Sequence, residues 1–427
     1  MDKKFKKYIV LWLSQSVSGL GSSMTGFALV LWAYGQSHSA MSVSLMSFCN
    51  YVPYIIFSLF VGNFIDSHKK KTIMLVADSI AAAGSLAILC ILLTGNLAVW
   101  NIYVINAVIG VTTAFQQPAA AVATVRLVPE DKISNVSGMN SFSNNLIVVF
   151  SPMLASFLYA LGGLPLILMI DLASFAFAFC ILLFFITIPE QAEKKEHSSP
   201  FTGLAEGFAF LKKEKGILYI MLTLAIINFF SRLTYENILS PMILARSLDN
   251  SITLGVVNAF MGMGGIVGGI IVSVKKESRR KATAIYVSTA LSFLFGDLLM
   301  AAGRNVFVWS AAAVAASFPI PFIVANQNTI MYRKIPADIQ GRIFAIRNAI
   351  QYCTIPIGII LGGYLADHVF EPFMSRKSGV AEVLAKIVGE GAGSGMAAMF
   401  LCTGICGFAI SLVSCFNREI KKLNSIE

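Results

Sequence analysis

Twelve apolar windows, each long enough to cross a bilayer, constrain this chain more than anything else in it. They fall near 8–34, 41–65, 72–94, 98–125, 137–161 and 164–188, then near 217–244, 252–274, 281–302, 305–332, 342–367 and 394–416. About 20 apolar residues at 1.5 Å each span a hydrocarbon core of ~30 Å. In lipid every backbone polar group must be bonded internally, so apolar spans of this length are helices. Composition agrees: 56% of the 427 residues are hydrophobic and 13% are charged, against about 25% charged in a soluble domain. Disorder and a disulfide-stapled secreted fold are excluded. The expected fold class is all-α integral membrane, with twelve transmembrane helices.

The charges are placed by topology. With the N-terminus inside, the inner segments carry 26 Lys and Arg and the outer loops carry 5, with Arg232 inside a span. The positive-inside rule then puts both termini in the cytoplasm. The net charge of +10 is thus a topology signal with an attraction to anionic membrane lipids, and requires no nucleic acid. Lys3, Lys4, Lys6 and Lys7 imitate a signal peptide, but the apolar run after them continues to Tyr34 without a cleavage pattern and reads as the first span. The seven cysteines form no C-x-x-C pair and read as small buried hydrophobes.

An internal repeat divides the chain. At an offset of 207 residues Gly62 and Lys69 fall on Gly269 and Lys276, and Pro129 and Asp131 fall on Pro336 and Asp338. The matched pairs occupy equivalent loops, after the second and fourth span of each half. The expected organisation is a six-helix bundle over 1–188, a cytoplasmic linker over 189–215 and a second six-helix bundle over 216–427. Parallel six-span repeats are a transporter architecture with its site at the repeat interface.

The loop after the second span reads Gly62-Asn-Phe-Ile-Asp66-Ser-His-Lys69-Lys70-Lys71. It resembles the G-x-L-x-D-R-x-G-R-K/R signature of the major facilitator superfamily. Further stretches resemble the macrolide-efflux branch of its drug:proton antiporters. These are Gln15, Ser18, Gly21, Ser22, Phe27, Ala28 and Trp32 in the first span, Thr113-Ala-Phe-Gln-Gln-Pro118, Leu127-Val-Pro-Glu-Asp131, Ser151-Pro152, and Val369-Phe-Glu-Pro372 with Gly393-Ser-Gly-Met396. The resemblance implies the major facilitator fold and a cytoplasmic gate. In that gate Gly62 admits a close helix and Asp66 faces the start of the eleventh span at Arg342, while Lys70 and Lys71 hold the loop inside. A plain topogenic basic loop is the other reading. The chain departs from the signature at Ser67, Lys69 and Lys70, and Ser273 stands where Asp66 maps in the second half. It also has Ile109 where antiporters of this kind carry a fourth-span Arg implicated in proton transfer.

Ionisable residues inside a membrane are costly and mark function by default. Arg232 and Glu236 are spaced i, i+4 and share a helix face, with Asn228 one turn earlier. Glu236 is the expected protonatable coupling residue, Arg232 its tuning partner, and Asp171 and Asp297 are further candidates that also suit structural roles near the outer ends of their spans. Asp78 suits a structural pairing with Lys70 or Lys71. By resemblance, spans one, four, seven and ten line the cavity, where Gln15, Gln116, Asn228, Asn326 and Asn328 would orient a largely apolar ligand. The segment from Val380 to Val388 has apolar residues at helical spacing and suits a helix lying along the outer interface.

No H-E-x-x-H, G-x-S-x-G, Walker or Gly-rich nucleotide motif is present, and the four histidines lack metal-ligand spacing. An enzyme, a cofactor and a metal site are therefore not expected. The sole N-x-S/T sequon, Asn135-Val-Ser137, falls on an inner loop, which suits a bacterial plasma membrane. The resemblance implies a secondary active transporter, acting as a monomer. It would export amphipathic, macrolide-type compounds by alternating access against protons. A siderophore or lipid-like substrate, or an uncoupled facilitator, is the alternative.

Overall fold

The computed structural model describes residues 3–58, 60–61, 64–65, 68–128, 133–188, 202–274, 279–336, 339–376 and 379–425, and among them there are helices and no strands. Among the described residues eleven helical segments are long and apolar enough to cross a bilayer. One of them, Phe142–Phe185, has 44 residues and a length of about 66 Å, roughly twice the hydrocarbon thickness. It is broken at Gly163, whose φ of 64° and ψ of −164° leave helical space, with Pro165 just after. The break makes two spans of one segment. Among the described residues that makes twelve helical stretches able to cross a bilayer, in the fold class the sequence implies.

Spans 1 to 4 are Lys3–Ser37, Ala40–Ser58, Lys70–Leu93 and Val99–Leu127. Spans 5 and 6 are the two parts of Ile133–Cys180, the second ending in a π-helical turn, Ile181–Phe185. Span 7 is discontinuous, Lys215–Thr234 then Leu239–Arg246; span 8 is Ser251–Val274. Span 9 runs through Lys281–Leu291, a π-helical stretch Ser292–Asp297, and Leu298–Ala302. Span 10 comprises Val306–Ser317 and Ile320–Lys334, span 11 comprises Gln340–Leu365 and its continuation to Ser375, and span 12 is Ser394–Phe416. The segment read as a linker falls at 189–201 outside the described residues, and then forms a helix, Thr202–Lys213.

The chain separates into two compact units. The first takes Met1–His38, Leu45–Lys195 and Asn250–Gly255; the second takes Ser39–Ser44, Glu196–Asp249 and Val256–Glu427. In the first, Tyr8, Leu11, Met74, Leu127 and Leu182 share one buried cluster, and Met24, Ile88, Ile102 and Ile167 another. In the second, span 8 lies close to span 10, because Gly264 and Gly268, one turn apart, leave room for Val314, Ser317 and Phe318. A short C-terminal helix, Arg418–Ser425, buries Ile420 and Leu423 and caps the start of span 9, where Asn424 Oδ1 accepts from Ala282 N at 3.1 Å.

Two carboxylates close helix ends in the second unit. Asp367 accepts from Ser39 Oγ at 2.6 Å, Ala40 N at 3.1 Å and Met41 N at 2.9 Å, satisfying the orphan amides at the start of span 2. Glu371 Oε1 accepts from Met396 N at 3.0 Å in the first turn of span 12. Gly395 packs directly on the backbone of Phe370 and Glu371. The two short motifs at 369–372 and 393–396 are therefore one joint. The helix Gly379–Val388 forms as its spacing suggests, with Val380, Val383 and Ile387 all exposed along one side.

The cysteines correct the sequence reading. None is buried: Cys90, Cys180, Cys353, Cys402 and Cys406 are exposed, and Cys49 and Cys415 are half-buried. Lipid tails are as apolar as a protein core, so a small apolar side chain gains nothing by facing inward.

Candidate functional site

In the first unit the polar residues of spans 1, 3 and 4 converge on one carboxylate. Gln116 Nε2 donates to Asp78 Oδ1. The buried Gln15 amide lies against the same carboxylate, its Nε2 outside hydrogen-bonding geometry. Asp78 is eight residues into span 3, or about 12 Å at 1.5 Å per residue. Gln15 is ten residues past Phe5, where the apolar window of span 1 opens, and Gln116 is eleven before the end of span 4, each about 15–16 Å. Half the hydrocarbon core is ~15 Å. All three groups thus sit close to the membrane midplane. Span 1 is held to span 5 on either side of Gln15, by Tyr8 Oη donating to Asn140 Oδ1 at 3.0 Å and by Ser143 Oγ donating to Ser16 Oγ at 2.6 Å.

This arrangement corrects the pairing of Asp78 with Lys71. The Lys71 ammonium instead donates to Leu183 O and Ile186 O, both at 2.8 Å. It closes the C-terminal end of span 6, where carbonyls lack helical partners and the helix dipole favours a cation. Lys70 is buried at the first position of span 3. Gly62 and Asp66, and the side chain of Arg342, lie outside the described residues, so the expected gate is represented only by Lys70 and Lys71.

In the second unit the decisive feature is the interruption of span 7. Its helix opens into turns at 235–238. Arg232 and Glu236 pair across the start of that opening, 37% and 22% exposed. Next to the pair in sequence are buried polar atoms with no hydrogen-bond partner: Thr234 Oγ1 and both Oδ1 and Nδ2 of Asn237. Buried groups left unsatisfied call for an explanation, and broken helices of transporters expose such groups to substrate or ion. Glu236 lies inside this span, 21 residues after Lys215 and ten before Arg246.

Asp171 and Asp297 occupy joints. Asp171 in span 6 is 4% exposed and accepts from Ser22 Oγ of span 1 at 3.0 Å and Ser85 Oγ of span 3 at 2.8 Å. Asp297, 1% exposed at the end of the π-helical stretch of span 9, accepts from Thr403 Oγ1 of span 12 at 3.1 Å, with the Tyr235 ring beside it. Gly21 and Gly404 make the space for the two carboxylates.

The remaining cavity candidates separate. Asn228 is half-buried one turn before Arg232. Asn326 Nδ2 donates to Phe322 O within its own helix at 2.7 Å. Asn328 Oδ1 accepts from Arg347 Nη1 at 2.8 Å. Arg347, counted by sequence among the inner basic residues, is a residue of span 11 proper, bonded also to Asn348 and stacked on Phe344 at 4.7 Å. Gln327, buried with its Nε2 unpartnered, is a polar group that apolar patterning conceals.

Comparison with known proteins agrees with this architecture. Residues 11–363 match the family profile of the Major Facilitator Superfamily. The chain belongs to that superfamily. It is a multi-pass membrane transporter rather than an enzyme. Among its relatives is the macrolide efflux protein A of Streptococcus pyogenes, 26% identical over 369 residues, which are 85% of this chain and 90% of the relative. Another is the multidrug efflux pump Tap of Mycolicibacterium fortuitum, 22% identical over 82% of this chain and 87% of that one. Solved structures of similar fold include a bacterial homologue of the iron transporter ferroportin in an inward-facing state, with a TM-score of 0.71 at 12% identity, covering 98% of this chain and 100% of that chain. A bacterial homologue of the human lysosomal transporter Spinster follows at TM-score 0.66 and 14% identity, covering 99% of each chain.

Proposed function

We propose that this superfamily member is a secondary active exporter of amphipathic, drug-like compounds, driven by protons through alternating access. The observation that carries the reading is the carboxylate of Asp78, set near the midplane, bonded by the neutral amide of Gln116 with the Gln15 amide beside it. A group so placed is costly unless it has a use, and it can exchange a proton for a cationic substrate. Relatives named as macrolide and multidrug efflux pumps support the substrate class and the direction. Gln116 positions the carboxylate with Gln15 beside it, and Arg232–Glu236 forms a second charged pair within a span. Both termini lie in the cytoplasm of a bacterial plasma membrane, on the distribution of Lys and Arg. The six-span bundles 1–188 and 216–427 are the moving parts, and Gly62, Asp66 and Arg342 belong to the gate.

One observation favours a second reading. Ile109 replaces the fourth-span Arg of proton-coupled antiporters, which suits an uncoupled facilitator. Accumulation of macrolides, cationic dyes and siderophores in expressing cells, with and without a protonophore, separates the two. Export abolished by protonophore in the parent, and lost in Asp78→Asn at every pH tested, is the expected result. Export by Asp78→Asn that keeps the parent's pH profile removes Asp78 from the mechanism. The same outcome for Glu236→Gln removes Glu236. Siderophore export alone moves the substrate class, and protonophore-insensitive equilibration in the parent establishes the facilitator.

A further inference from the structure

One helix of the second unit is too short to cross the membrane. Gly379–Val388 has 10 residues, about 15 Å, against a hydrocarbon core of ~30 Å. It stands between the end of span 11 and the start of span 12, and packs against both and against the end of span 9. Its side chains divide three ways. Ala381 and Val388 are buried. Glu382 and Lys386, one turn apart, are exposed and charged. Val380, Val383 and Ile387 are 65%, 59% and 47% exposed, and at about 100° per residue they fall within about 60° of one another.

The far end of this helix is pinned. Gly389, at φ 88°, closes it in the left-handed conformation. Two guanidiniums take the carbonyls left over. Arg246, which ends span 7, donates from Nη2 to Val388 O and from Nη1 to Ala301 O at 3.4 Å, and Arg304 Nη2 donates to Lys386 O at 3.4 Å. Cations at a helix C-terminus complement its dipole, as the acid Glu382 does in the first turn. The helix is therefore held at the level where spans 7 and 9 end and span 10 begins.

A helix with one face on protein, one apolar and one charged, fixed level with the ends of several spans, has the form of an interfacial helix. Further exposed aromatic side chains stand at the same level, Phe373 near the end of span 11 and Phe307 at the second position of span 10. We propose that Gly379–Val388 lies in the membrane surface, with Val380, Val383 and Ile387 set among the acyl chains of one leaflet and Glu382 and Lys386 facing water. The partner is the lipid surface itself, without demand for one headgroup. A second copy of the chain is the competing occupant. A stable interface takes about 800 Å² from each partner, however, and three aliphatic side chains on one short helix fall well short of that. The inference is independent of the transported substrate and of the coupling ion. Through Arg246 the lipid seat also fixes Leu239–Arg246, the part of span 7 beyond its opening.

The test replaces Val383, Ile387, Glu382, Lys386 or Val413, one at a time in the full chain, by the photoreactive residue p-benzoylphenylalanine. All five positions are exposed, so the substitutions leave the core intact. Each protein is reconstituted in vesicles of phosphatidylethanolamine and phosphatidylglycerol, irradiated, and analysed by peptide mass spectrometry for lipid adducts. Val413, 67% exposed within span 12, is the reference for contact with acyl chains. Positions 383 and 387 are expected to give adducts within about twofold of position 413, and positions 382 and 386 about fivefold fewer or less, because the charged face stays in water. Equal yields at the four helix positions overturn the proposal, as does absence of adducts at 383 and 387 while 413 reacts. Cross-linking from 383 or 387 to a second copy of the chain also overturns it and makes the stripe a contact between copies.

Discussion

Replacing Gly395 by Ala adds one methyl group and should destabilise the second unit severely. A Cβ at this position would overlap three backbone atoms, the N and Cα of Glu371 and the C of Phe370. Backbone cannot swing aside as a flexible side chain can. The two chains must part, at a cost of about 1–3 kcal/mol for overpacking. Parting them also stretches the bond from Met396 N to Glu371 Oε1, now 3.0 Å, and a hydrogen bond to a charged group contributes about 1.5–3 kcal/mol. Together these amount to about 3–6 kcal/mol. For a unit of this size that corresponds to a fall in Tm on the order of 10 °C. The assay is loss of the size-exclusion peak of the purified, full-length protein after heating in micelles. Gly265→Ala serves as the matched control, because a Cβ there meets nothing within 4 Å and alanine favours the helix. Equal melting of the two variants would show that the joint at Glu371 and Gly395 does not hold the unit together.

Three further outcomes follow from the site geometry. Asp171→Asn and Asp297→Asn should each lower Tm by several degrees while transport per folded molecule stays near the parent's, since both carboxylates are absorbed by hydroxyl donors; a loss of transport without a loss of stability would return them to the coupling mechanism. Lys71→Met should destabilise the first unit by about 1–3 kcal/mol in the same heating assay, having lost two bonds to the carbonyls ending span 6, whereas Lys71→Arg should recover most of it. Asn237→Leu should preserve or raise Tm and reduce export, because the buried amide has no partner to lose; if export is unaffected, the opening in span 7 has no part in transport.

The crossings and the charge asymmetry were readable because bilayer thickness and insertion act on local composition. The break at Gly163 was readable too, as a turn between two windows. What the sequence concealed is which way each helix faces. In water an apolar stripe marks the buried side, but here Val76 faces outward and Ile73 inward with the same hydropathy. Asp78 was visible as an intramembrane acid, yet its partners are 38 and 63 residues away, on helices whose rotation nothing in the sequence fixes. Nearby Lys70 and Lys71 therefore looked the better match. Arg232 and Glu236 were legible as a pair because helical spacing alone brings them together. The unpaired polar atoms next to them in sequence were not, since Thr234 and Asn237 read as ordinary residues until the helix is seen to open. Arg347, counted with the inner basic residues although it falls in the window 342–367, gave no sign of its bond to Asn328 on span 10.

Asp171 and Asp297 each fasten one half of the chain, by one device used in opposite senses. In the first half the acid is on span 6 and the hydroxyl, Ser85, on span 3; in the second half the acid is on span 9 and the hydroxyl, Thr403, on span 12. Corresponding helix pairs are fastened at a similar depth, with the roles of donor and acceptor exchanged. The same mechanical problem is met in each half by one carboxylate and one hydroxyl, without a shared residue. Transplanting the acid from position 171 to 85, with a serine returned at 171, would rebuild one copy's fastening in the style of the other.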